Sequence, residues 1–97
     1  MNIQELQKTI SNLEELLTNT TGSEYLELNR TIFKLQIKLS DLSTSPLEDL
    51  NINISQEDID LLNQATVDVK SAIATEQRKT ELITQAIGIG KKILGFI

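Results

Sequence analysis

This sequence predicts an all-α fold, and three observations carry that expectation. Apolar residues recur at alternating steps of three and four from Ile3 to Leu17, and again from Tyr25 to Leu42. The last sixteen residues, drawn as a helix, separate into an apolar and a polar half. Aromatic residues make up only 3% of a chain that is 39% apolar, so the interior is built from Leu, Ile, Val and Ala, which suits helix packing. The architecture expected is an antiparallel helical hairpin plus a long third helix. That is a three-helix bundle, or four helices if the C-terminal segment folds back. At 97 residues the chain forms one domain, 1–97, whose core leaves a solitary monomer little stability in reserve.

The hairpin occupies residues 1–43. Its first helix runs from Ile3 to Thr18, with Ile3, Leu6, Ile10, Leu13 and Leu17 forming a single narrow seam of the heptad kind. Thr20-Thr21-Gly22-Ser23 ends it, with Gly22 suited to a left-handed turn conformation and Ser23 to capping the next helix. The second helix, from Glu24 to Leu42, repeats the rule with Tyr25, Leu28, Ile32, Leu35, Leu39 and Leu42. It also carries a second apolar row, Leu26, Phe33 and Ile37, roughly 150° around from the first. One cluster of neighbours does not easily cover both rows.

Ser43-Thr44-Ser45-Pro46 stops the second helix and opens a connector, residues 44–54. Leu50, Ile52 and Ile54 alternate there with Asn51 and Asn53, as in an extended strap laid over the end of the helices. The third helix, residues 55–81, opens on a Ser55 cap with Glu57, Asp58 and Asp60 in its first turns. Its core stripe is Ile59, Leu62, Ala65, Thr66, Val69, Ala72 and Ile73. Residues 75–81 have no apolar side chain but also no Gly or Pro, so the helix is expected to continue through them.

The C-terminal segment, 82–97, places Ile83, Ala86, Ile87, Ile89, Ile93, Leu94, Phe96 and Ile97 in one sector, and Gly90 lies in the same sector. A continuous helix from Gln56 to Ile97 would be on the order of 60 Å long, about twice what the hairpin can cover. Either its final third projects, or the polar stretch bends and 82–97 returns to dock on Leu26, Phe33 and Ile37.

Composition excludes several classes of function. There is no Cys, His or Trp, which removes disulfides, thiolate and imidazole metal ligands and the usual neutral-pH base. The net charge of −5 argues against a nucleic-acid binder. No nucleophile elbow or phosphate loop occurs, and Glu14 and Glu15 point about 100° apart on a helix. Neither a catalytic residue nor a cofactor site nor a metal site is expected. Glu57, Asp58 and Asp60 read as helix-start acids, and the Asn-x-Ser/Thr triplets as products of an Asn- and Thr-rich composition. With no secretory leader and no uncharged run long enough to span a bilayer, the expected location is cytoplasmic, with peripheral membrane contact as the competing case. Arg30, Lys34 and Lys38 form a basic ridge, read as a solvated face balanced by Glu27 and Asp41 or by acids of the first helix.

Residues 88–97 resemble membrane-active cationic amphipathic peptides in their use of Gly, Lys and Ile, a compositional likeness of about ten residues. The functional expectation is a small, non-enzymatic interaction or assembly module, with a second copy or a helical protein as partner. Its docking surface would comprise Leu26, Phe33, Ile37, Ile83, Ile87, Gly90, Ile93, Leu94, Phe96 and Ile97. The competing expectation is a membrane-associating or membrane-permeabilising protein whose segment 82–97 meets lipid, with Lys91 and Lys92 at anionic headgroups.

Overall fold

The computed structural model describes residues 1–42, 45–71 and 73–97. Four helices follow one another: α1 (Ile3–Leu17), α2 (Gly22–Asp41), α3 (Gln56–Asp68) and α4 (Glu76–Leu94). No strand occurs among the described residues. α1 packs on α2 and α3, and α4 packs on the same two helices.

α1 starts where Asn2 accepts a hydrogen bond from the Glu5 amide at 2.9 Å while the Glu5 carboxylate accepts from the Asn2 amide at 3.3 Å. This reciprocal pair satisfies two amides that a helix start would otherwise leave unbonded. The buried face of α1 is broader than the expected single seam, because Thr9 and Leu16 are buried along with Leu6, Ile10 and Leu13. A helix that serves two neighbours needs a wider stripe than one that serves a single partner. At the α1–α2 turn Gly22 takes φ +71°, the left-handed region that favours glycine. Ser23 does not cap α2; its hydroxyl donates to the Glu24 carboxylate at 3.2 Å.

The inner face of α2 buries Leu28, Thr31, Ile32 and Leu35, while Leu39 and Leu42 are half-buried and Tyr25 is exposed. Ser43 and Thr44, part of the expected helix stop, lie outside the described residues. In the connector Ile52 is buried, Leu50 and Ile54 are half-buried, and Asn51 and Asn53 are exposed. This strap is tied to the start of α1. The Leu50 amide donates to the Met1 carbonyl at 2.9 Å, and the Met1 amino group donates to Asp49 Oδ1 at 3.1 Å and to the Ile52 carbonyl at 3.3 Å. The Asn51 amide, and then the Met1 amino group, hold the Asp49 carboxyl below its ordinary range.

The long third helix expected from the sequence does not form. α3 stops at Asp68, and α4 begins at Glu76. Of the stripe expected to continue through this region, Val69 is buried, Ile73 is 93% exposed, and Ala72 lies outside the described residues. Two local features account for the break. Thr75 takes an extended backbone and its hydroxyl accepts from the Arg78 amide at 3.1 Å, which starts a new helix rather than prolonging the old one. The Lys70, Ser71 and Ala74 amides bond carbonyls three residues back, turning the chain tightly. A single straight helix would leave the apolar face of 82–93 in water, and the turn brings it inside. Thr75→Ala should therefore lower unfolding free energy by about 1 kcal/mol in chemical denaturation. An unchanged midpoint would mean that the hydroxyl cap does not define the break.

Candidate functional site

The C-terminal helix is the largest contributor to the interior after the hairpin. Leu82, Ile83, Ala86, Ile87, Ile89, Gly90 and Ile93 are buried, Leu94 and Ile97 are half-buried, and Phe96 is exposed. Among the residues expected to form an outward docking surface, Ile83, Ile87, Gly90 and Ile93 thus lie inside this chain. α4 does fold back, but it does not dock on the row Leu26, Phe33 and Ile37. It meets the inner face of α2 instead, where Gly90 approaches Thr31 and Leu35 and reaches Leu13 of α1. A Cβ on Gly90 would stand 2.7 Å from Thr31 Cγ2. The Thr31 hydroxyl donates to the Glu27 carbonyl at 2.9 Å, which holds that side chain in place.

Two lysines fasten the end of α4. Lys92 Nζ donates to Asp58 Oδ2 on α3 at 2.8 Å, and Lys91 Nζ pairs with the Glu27 carboxylate on α2. Sequence reasoning assigned both lysines to solvent or lipid, and it missed Glu27 and Asp58 as their partners. Their pairing depends on contacts between residues 64 and 34 positions apart, which no local spacing encodes.

The Lys91 hydrogen bond, and then its charge, hold the Glu27 carboxyl below its ordinary 4.5. A lowered folded-state pKa means that the pair stabilises the fold above about 4.5 and that this contribution is lost as pH falls through the folded value. Both groups are half-exposed, so the effect is small. Acidification below pH 4.5 should lower the melting temperature more for the parent than for Glu27→Gln; parallel pH profiles would show that the pair contributes nothing.

The second row of α2 remains outside. Leu26 is 62% exposed, Phe33 61% and Ile37 46%, on the side of the helix turned away from Leu28, Ile32 and Leu35. Beside this row run Arg30, Lys34 and Lys38, all exposed. None of these three makes an ion pair among the described residues, and Glu27, one of the acids expected to balance them, is engaged by Lys91. A groove between α2 and α4 joins the two features, lined by Leu26, Arg30 and Lys34 on one side and by Lys91 and Leu94 on the other. Leu94, a member of the expected tail surface, thus shares a groove with Leu26 of the expected α2 row.

Among the described residues no carboxylate group gathers in a metal-holding arrangement, and no helix is long and apolar enough to cross a membrane. No protein family model, curated protein or solved structure matches this chain.

Proposed function

We propose that this chain is a small, non-enzymatic interaction module, a four-helix bundle that receives another protein on the outward face of α2. The observation that carries the reading is the row Leu26, Phe33 and Ile37, three large apolar side chains aligned on one rigid helix and left in water. Burial of such a row on a partner is favourable at about 25 cal/mol per Å2 of apolar surface, whereas a helix face that serves only solubility gains nothing from it. The flanking cations give the face a charge signature, and two of them, Arg30 and Lys34, line the groove that runs from Leu26 to Leu94. The packing of α4 into the core supports the face by locking the other side of α2.

A lipid-binding tail has less in its favour. The apolar face of α4 is engaged with α1, α2 and α3 and its lysines with Glu27 and Asp58, so insertion would first require α4 to leave the fold.

Selection of helical peptides from a random library on the immobilised full-length protein tests the proposal. Peptides so recovered should lose binding at least tenfold to a Phe33→Ser, Ile37→Ser double variant that retains the parent circular dichroism spectrum. Recovered peptides that bind parent and variant alike, or failure to recover any, would remove the α2 face as a docking surface.

A further inference from the structure

We infer that the occupant of the α2 face is the outward face of α3 on a second copy of this chain, in a head-to-tail contact. This rests on the docking role proposed for α2 and adds the identity of the partner.

The outward face of α3 complements that of α2 in charge, spacing and apolar content. Asp60, Gln64 and Asp68 stand at i, i+4 and i+8, the same spacing as Arg30, Lys34 and Lys38 on α2. At 1.5 Å per residue each row is about 12 Å long, so the terminal acids of one can reach the terminal bases of the other. Glu57 extends the acidic row by nearly one turn. Glu57, Asp60 and Asp68 make no ion pair among the described residues; Asp60 and Asp68 each accept only a glutamine amide of their own helix, at 2.9 Å. Beside them lies Val67, 63% exposed, which supplies apolar surface to meet Phe33 and Ile37.

Charge also rules against the symmetric alternative. Two α2 faces packed antiparallel would set one Arg30, Lys34 and Lys38 ridge against the other, and like charges in that position repel. Packed parallel, each ridge of three bases would meet Tyr25, Asn29 and Gln36, where, among the described residues, the only carboxylate placed by a hydrogen bond is that of Glu14, already bonded to Gln36 at 2.9 Å. The acids of α3 do answer it. Both helices pack on α1 and α4, so each presents its outer side to solvent. A copy that receives α3 of a neighbour on its own α2 still has its own α3 free. Such a contact is heterologous and propagates as a ring or an open chain.

Sedimentation velocity of the full-length protein at low ionic strength, across micromolar to millimolar concentration, is the direct test. The parent should form species larger than a dimer, weakened at least tenfold at 0.5 M salt, where screening acts within about 4 Å. Arg30→Gln with Lys34→Gln removes one face, and Asp60→Asn with Asp68→Asn removes the other; each double variant alone should be a monomer. Mixed, the two retain one intact face each and should form a 1:1 complex that grows no further. A parent that stays monomeric to millimolar concentration, a dimer that stops at two copies, or a mixture of the variants that does not associate would each overturn the inference. Should the parent be monomeric while library peptides still depend on Phe33 and Ile37, the head-to-tail contact fails and the docking role of α2 stands. Should neither occur, both fall.

Discussion

A chain truncated after Glu81 is expected to lose cooperative unfolding altogether. The deletion removes Leu82, Ile83, Ala86, Ile87, Ile89 and Ile93, six of the seventeen buried apolar residues among those described. Burial of each large aliphatic side chain stabilises by about 1.5–3 kcal/mol, so the five Leu and Ile residues represent about 8–15 kcal/mol. A domain of this size has a net stability of about 5–15 kcal/mol, so the loss is as large as the whole. It would also strip the cover from Leu13 and Leu35, which touch α4 at Gly90. The measurement is thermal unfolding followed by circular dichroism, with Ile93→Ala in the intact chain as the graded version. Ile93 is fully buried, and its truncation should cost about 2–5 kcal/mol. If the shortened chain melted as sharply and at the same temperature as the parent, α4 would not be part of the core and its apolar face would again be available to a partner or to lipid.

The second large effect is expected at Gly90, with Gly88 two residues away as its control. Gly90→Leu should destabilise by about 3 kcal/mol, because the new side chain enters a site already filled by Thr31, Leu13 and Leu35. Thr31 cannot turn aside cheaply, since it is β-branched and its hydroxyl is bonded to the Glu27 carbonyl. Gly88 has nothing within 4 Å of the position a Cβ would take. Gly88→Ala should therefore stabilise by about 0.5–1 kcal/mol, the ordinary advantage of alanine over glycine inside a helix. Opposite signs at two glycines of one helix isolate close packing from helix propensity. Equal shifts in the same direction would show that α4 does not approach α2 as closely as the structure has it.

Much of the local architecture is legible in individual residues. The 3-4 spacing of Leu6, Ile10 and Leu13, and of Leu28, Ile32 and Leu35, identifies helices and their buried sides, because a helix repeats its face at that period. The Ser55 cap is readable from a serine ahead of three acids, and in the structure its hydroxyl accepts from the Asp58 amide at 3.1 Å. Gly22 is readable for the same local reason, as the residue best able to take a positive φ. The break between α3 and α4 is not. Residues 69–75 contain neither Gly nor Pro, and a threonine that can cap a helix can equally sit inside one.

The candidate surface divides along the same line. That α2 owns two apolar rows, and that 82–97 owns one apolar face, is set by composition and period alone. Which of these surfaces pair is a property of the assembled chain. One of the two sequence expectations set the α4 face against Leu26, Phe33 and Ile37, whereas α4 lies on the inner face of α2 through Gly90 and Thr31 and leaves that row exposed. Lys91 and Lys92 carry no local sign that they will meet Glu27 and Asp58.

The amino-acid sequence by itself therefore determined that this protein is helical, where α1 and α3 start, which side of each helix is apolar, and that imidazole and thiol chemistry are absent. Only the tertiary structure decided that the third helix breaks, that the C-terminal helix is core, and that the outward row of α2 is left exposed. The physical reason is range. Periodicity and capping act within a turn or two of helix, whereas the competition among apolar faces for one another is settled by close approach between residues far apart in the chain.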